Sequence, residues 1–136
     1  KNDDWCWDDT DSLYQNNLLK ETDMLNLEVS KQRVFSAEKM QKINLVETAN
    51  LFCDIYCLCP GQSQKLHHHA DADKIYFVLE GQVAVQVGNE KHVCSAGQLV
   101  LAPAGELHGV HNGSLENATL LVMMAPNPNV RTEKAI

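Results

Sequence analysis

Two stretches decide the fold: GQSQKLHHHADADKIYFVLEG, residues 61–81, and GQLVLAPAGELHGVHN, residues 97–112. Each opens on a glycine, runs through strand-forming residues and reaches histidine. In the first, Ile75 to Leu79 are apolar or aromatic and Gly81 closes the run, as a turn that needs positive φ demands. In the second, Pro103 and Gly105 supply turn chemistry just before His108. His67, His68 and His69 are consecutive, so in a strand His67 and His69 point to one face and His68 to the other. An i, i+2 pair of imidazoles can grip one metal ion if a third ligand arrives from a distant strand, and His108 is the natural candidate. Neutral imidazoles suit Zn, Fe, Ni, Cu or Mn. A solvated run of histidines with no metal is the competing reading.

Outward from these stretches the chain reads as a procession of short strands: 51–59, 66–69, 74–80, 82–87, 90–94, 98–102, 107–111 and 118–124. Pro60-Gly61, Glu80-Gly81, Gly88-Asn89, Ala96-Gly97 and Asn112-Gly113 separate them. Regular short strands with turn chemistry mean an all-β sandwich or barrel. Ahead of them, Leu25, Leu27 and Val29 alternate with polar residues and predict a strand over 24–30. Ser12 caps a weak helix reaching Lys20, and Ser36 caps a second one carrying Met40 and Ile43 on one side. The acidic start, residues 1–11, holds Trp5 and Trp7 and reads as an arm that docks. The organisation is therefore an extension (1–50), a barrel (51–125) and an exit tail (126–136).

The 136 residues are 44% hydrophobic and 21% charged, the make-up of one globular domain. The net charge of −7 argues against a nucleic-acid footprint. No apolar run approaches the roughly 20 residues of a membrane span, and the start lacks the pattern of a secretory leader. Five cysteines, an odd number, point to a reduced, cytoplasmic setting. Leu51, Cys53, Ile55, Cys57 and Cys59 share one face of a strand and read as small core hydrophobes.

Gly61, His67, His69 and Gly81, followed by Gly97, Pro103, Gly105, His108 and Asn112, resemble the two sequence motifs of the cupin superfamily. The second motif matches at every fixed position, and the resemblance covers roughly residues 51–125. It implies an antiparallel double-sheet jelly-roll barrel with the motif histidines facing its lumen. It also implies a centre in which His67, His69 and His108 hold one divalent transition metal per chain. Fold alone does not fix chemistry in a superfamily this varied.

One position departs from the family pattern. Lys74 stands where the family usually places a fourth, glutamate ligand, and a protonated lysine is no ligand. Asp73, one residue earlier, could take that role, but strand alternation opposes the two. The spacing to Gly81 favours Lys74, Tyr76 and Val78 facing the lumen, with Ile75, Phe77 and Leu79 outside. Lys74 then serves in an ion pair or binds an anionic substrate group, and Tyr76 is a second candidate for substrate contact. His68 and His92 are expected at the surface and His111 in a structural role. No residue is singled out as catalytic. The functional expectation is a metalloenzyme acting on a small polar or anionic metabolite, with dioxygenase-type chemistry leading. The alternatives are a non-catalytic binding module and a metal-assisted isomerase or lyase. Exposed sheet edges and the N-terminal extension predict a homodimer.

Overall fold

The computed structural model describes residues 24–130. Nine strands build it: β1 (Gln41–Glu47), β2 (Phe52–Leu58), β3 (Ser63–His67), β4 (Asp73–Glu80), β5 (Gln82–Val87), β6 (Glu90–Ser95), β7 (Leu99–Ala102), β8 (His108–His111) and β9 (Ala118–Ala125). They form two antiparallel sheets, one ordered β1-β2-β9-β4-β7 and the other β3-β8-β5-β6. This is the all-β jelly roll that the two motifs imply. The two sheets remain separate, each with its own edge strands, and do not close into one continuous barrel.

Alternation along β2 shows how the chain builds two cores. Phe52, Tyr56 and Leu58 point between the sheets and join Tyr76, Val78, Val83, Val85, Val110, Leu120, Val122 and Met124. Cys53, Ile55 and Cys57 point to the opposite face of the larger sheet. There they are covered by Leu27, Val29 and Phe35 from the segment ahead of β1. The cysteine row is thus buried, but outside the sandwich, under a strap of chain. Burial, with the Asp54 charge adding to it, pushes the Cys53 thiol up to about 11, so it is an inert packing group.

The strap corrects two expectations. Residues 24–30 form no strand; an irregular stretch leads into a 3₁₀ turn at Val29–Gln32. Leu27 and Val29 satisfy the alternation by packing on the sheet's outer face rather than by pairing. Ser36 starts no helix either. Its Oγ accepts from the Glu38 amide at 3.2 Å, a local turn, and Gln41–Glu47 continues as edge strand β1. The same short polar side chain serves a helix cap or an isolated turn, and pairing with β2 selects the turn. The expected helix after Ser12 and the arm with Trp5 and Trp7 lie outside the described residues. The first histidine-bearing strand is also displaced, to Ser63–His67 instead of 66–69.

Gly81, between β4 and β5, has φ +78°, and a Cβ there would lie 2.4 Å from the Asn117 carbonyl oxygen. Only glycine meets both demands. Asn112 ties the loops at the same end: its Nδ2 donates to the carbonyls of Leu58 (3.0 Å) and Glu116 (2.8 Å), and its backbone carbonyl accepts from Gly61 (2.7 Å).

Candidate metal centre

His67 ends β3 and His108 begins β8, and the two are register partners across that pair of strands. Both therefore project from the same face, into the space between the sheets. A register shift in β3 between Gln64 and His67 lets both side chains turn inward. His69 lies just past β3, where the chain has left the ladder. Its carbonyl accepts from the Gly105 amide at 2.8 Å, which locks the loop after His67 to the turn before His108. Ring centroids are 5.2 Å apart for His67–His69, 4.4 Å for His67–His108 and 5.9 Å for His69–His108. One nitrogen from each ring lies within 4.8 Å of the others.

Backbone acceptors set which nitrogen is offered. The Nδ1–H of His67 donates to the Lys65 carbonyl at 2.7 Å, and that of His108 to the Glu106 carbonyl at 3.0 Å. Only a protonated Nδ1 bonds a carbonyl, so Nε2 is left with its lone pair. The Nε2 atoms of all three rings are buried, and that of His108 has no hydrogen-bond partner. Burial, then the Lys74 charge, then the neighbouring imidazoles push His108 down to about 3, against its bond to Glu106. The ring is neutral at ordinary pH, the form that ligates. Two imidazoles with oriented tautomers, a third beside them and three buried, converging nitrogens fit a divalent transition metal.

Behind the histidines lies a buried polar layer. Lys74, with 0% exposure, donates from Nζ to Gln64 Oε1 at 3.3 Å. Tyr76 OH donates to the same oxygen at 3.2 Å, and Gln64 Nε2 donates to Tyr56 OH at 3.0 Å. Nζ also sits 5.3 Å from the Tyr56 ring and 5.0 Å from the Tyr76 ring, within cation–π range. Tyr76 in turn lies 6.1 Å, ring to ring, from His108. Lys74, Tyr76 and Val78 thus face inward, and Ile75, Phe77 and Leu79 are only half-buried on the other side.

Asp73 is placed elsewhere. It is exposed, its Oδ1 accepts from the Ala104 amide at 2.9 Å, and it braces the turn before His108. Among the described residues the group able to share a metal is His67, His69 and His108, without Asp73. His68 is exposed, and His111 pairs through Nδ1 with Ser63 Oγ at the surface.

Gln64 and Asp54 escaped the sequence reading, and His92 lies at the surface as expected. Gln64 carries the polar layer. Asp54, buried on β2, occupies an inward position in step with Phe52 and Tyr56, which its place in FCDIYCL already signals. His92 is exposed but pairs with inward-facing Val85, so it borders the opening between the sheets. That opening is a groove of about 450 Å³ lined by Val85, Val87, His92, Val100, Pro103 and Glu106. Val87 is the register partner of His108, and the Glu106 carbonyl holds that ring, so the groove ends beside the histidines.

Comparison with known proteins agrees with this geometry. The sequence model of the cupin domain matches residues 54–124. An uncharacterised protein of Streptomyces coelicolor is 32% identical over 84 residues, covering 62% of this chain and 78% of that one. The TT1209 protein of Thermus thermophilus superposes with a TM-score of 0.76 at 42% identity, covering 77% of this chain and all of that one. A double-stranded β-helix protein of Klebsiella pneumoniae superposes at 0.71 with 22% identity, covering 76% and 91%. The domain match spans both histidine motifs and the strands that carry them, and on these grounds the chain belongs to the cupin family.

Proposed function

We propose that this cupin holds one divalent transition metal on His67, His69 and His108 and acts on a small polar or anionic metabolite. The observation that carries the reading is the convergence of three buried imidazoles, two with Nδ1–H tethered to a backbone carbonyl and one held neutral by burial. With His67, His69 and His108 as its protein ligands, an ion of Fe, Mn, Zn, Ni or Cu would keep open positions for substrate. Dioxygenase-type chemistry is the leading form of the proposal, and a metal-assisted isomerase or lyase the alternative. The residues of the chain supply the rest. Val85, Val87 and Val100 give the groove an apolar side, Lys74 supplies positive charge in the interior, and Tyr76 is a further candidate for substrate contact. A non-catalytic binding module is the second reading. It is favoured by the Lys74–Gln64–Tyr56–Tyr76 network, which occupies its own donors and acceptors and offers no general base.

Plasma mass spectrometry on untagged protein is expected to find close to one metal per chain, lost in His108→Ala. Absence of metal after reconstitution with Fe, Mn, Zn and Ni would end the proposal. The reading includes a reduced, cytoplasmic setting, supported by four free thiols among the described residues. It also includes a homodimer, supported by Leu99 and Leu101, which are 58% and 53% exposed on edge strand β7. Light scattering at micromolar concentration is expected to give twice the chain mass, and a monomer would refute the dimer.

A further inference from the structure

We propose that β7 pairs antiparallel with β7 of a second copy of this chain, about a two-fold axis at Val100, and that the partner strand extends the wall of the groove beside the histidines. The inference rests on the homodimer of the reading above and names the surface that makes it. Strands β1, β7, β3 and β6 stand at sheet edges. Charged side chains, the usual guard against edge-to-edge pairing, lie on β1 (Lys42, Glu47), β3 (Lys65) and β6 (Glu90, Lys91). Strand β7 carries none, and no charged residue lies between Ser95 and Gly105. Two copies of a chain with net charge −7 repel one another, and this edge lets them meet without opposing like charges.

The ladder shows which backbone groups β7 leaves open. The Gly97 amide donates to the Val78 carbonyl at 2.8 Å, and the Val78 amide donates to the Gln98 carbonyl at 3.0 Å. Bonded and non-bonded pairs alternate along an antiparallel ladder. The next bonded pair is therefore Tyr76–Val100, while Phe77–Leu99 and Ile75–Leu101 are non-bonded. The N–H and C=O groups of Leu99 and Leu101 thus point away from β4, to the open edge. A two-fold axis at Val100 sets Leu99 against the partner's Leu101 and Leu101 against the partner's Leu99. Each pair then exchanges both N–H···O bonds, and none of these outward groups is left over. The side chains fit the same pairing. On the outer face Leu101, Ile75, Met123 and Cys53 are register partners in one row, and Leu99, Phe77, Leu121 and Ile55 in the next. The strap covers the β2–β9 end of these rows, and Leu99 and Leu101 stay 58% and 53% exposed at the other end. Pairing runs each row into a row of the partner, so both become apolar across the two joined sheets. On the inner face Val100 lines the groove. The partner's Val100 comes beside it at a non-bonded pair, with Cα atoms about 4.5 Å apart. The groove is then bounded by both copies.

Light scattering, amide hydrogen exchange and cross-linking of the full chain test the pairing. The wild type is expected at twice the chain mass, with the Leu99 and Leu101 amides protected and exchanging freely on dilution to monomer. Leu99→Lys puts on β7 the kind of charge that the other edges carry, and Leu101→Pro removes one outward N–H. Both are expected to halve the mass and to keep the circular dichroism of the wild type. Leu99→Lys alone decides the comparison if the proline variant does not fold. Val100→Cys, in a Cys6→Ser background, is expected to form an interchain disulfide on mild oxidation, since Cα atoms about 4.5 Å apart are within disulfide reach. Leu115→Cys, 93% exposed ahead of β9, is the control and is expected to stay unlinked. A dimer that survives Leu99→Lys and gives no cross-link through Val100→Cys overturns the β7 pairing and leaves a homodimer made by another surface. A wild type that is monomeric at micromolar concentration overturns both the pairing and the homodimer.

Discussion

Asp54→Asn is expected to leave stability nearly unchanged at pH 4 and to raise it by about 4 kcal/mol at pH 8. Burial pushes the Asp54 carboxyl up to about 7 from an ordinary 3.8. The hydrogen bond from Asn44 and the charges of Lys42 and Lys74 pull it down less than burial raises it, and Glu47 adds to the rise. Below pH 4 the folded and unfolded chains both hold the proton, and the group has no effect. Between pH 4 and 7 the unfolded chain releases a proton that the folded chain keeps, so stability falls as pH rises. Above pH 7 both are ionised and the cost is complete, about three pKa units at roughly 1.4 kcal/mol each. Asparagine has no charge to bury. Its amide also brings a donor to Asn44 Oδ1, a buried oxygen with no partner. Urea unfolding of both proteins at pH 4, 6 and 8, with chelator throughout, checks the expectation. A gap that stays constant over that range would show that Asp54 is ionised throughout.

Strand content and the inward phase of β4 were legible in the sequence because period 2 and the spacing to Gly81 fix which side chains share a face. Lys74, Tyr76 and Val78 follow that rule, with 0%, 0% and 1% exposure. The same rule held at the cysteine row but left its side of the sheet open. Alternation says that Cys53, Ile55 and Cys57 are buried together, but not on which side of the sheet. The side was settled by a strap, 27–35, that supplies Leu27, Val29 and Phe35 as cover. A covered outer face and an inner face look alike to a period-2 reading, since both are apolar. This also explains why Leu25 to Val29 read as a strand: alternation marks a segment lying along a sheet, whether or not it pairs.

The histidines were legible as a pattern because their spacings are set by local turns. Gly105 has φ +89° and donates to the His69 carbonyl, so the loops that present the ligands are joined through short-range geometry. The roles of Gln64 and Asp54 were not legible, although the inward phase of Asp54 was, because those roles depend on partners from other strands. Gln64 matters through Lys74 and Tyr76 on β4 and Tyr56 on β2, and Asp54 through Asn44 on β1. Asp73 shows the converse. Proximity in sequence to Lys74 suggested a ligand, and the alternation of β4 turned it toward the Ala104 amide.

Gly109→Ala is expected to weaken metal binding by roughly 10- to 100-fold while the chain still folds. Gly109 sits on β8 directly after His108. A Cβ there would lie 2.8 Å from the Gln64 carbonyl oxygen, 3.2 Å from the Leu66 amide nitrogen and 3.2 Å from the Lys65 carbonyl carbon. All three are backbone atoms of β3, at the place where its register shifts between Gln64 and His67. They do not rotate aside as a side chain would, so β3 must move away from β8. The Lys65 carbonyl that holds His67 Nδ1 moves with it, as does the strand that carries Gln64 beneath Lys74. The distance between His67 and His108 is therefore set in part by the absence of a side chain at a residue that touches neither metal nor substrate. Gly113→Ala is the control. Its Cβ would meet only the exposed His111 ring at 3.4 Å, and metal affinity is expected to be unchanged. Cobalt affinity and the cobalt spectrum, read beside the melting temperature of the metal-free protein, separate positioning from general destabilisation. A lower melting temperature with wild-type affinity and spectrum would mean that β3 returns to its register despite the added methyl. The seat of the bulge would then lie elsewhere in the strand.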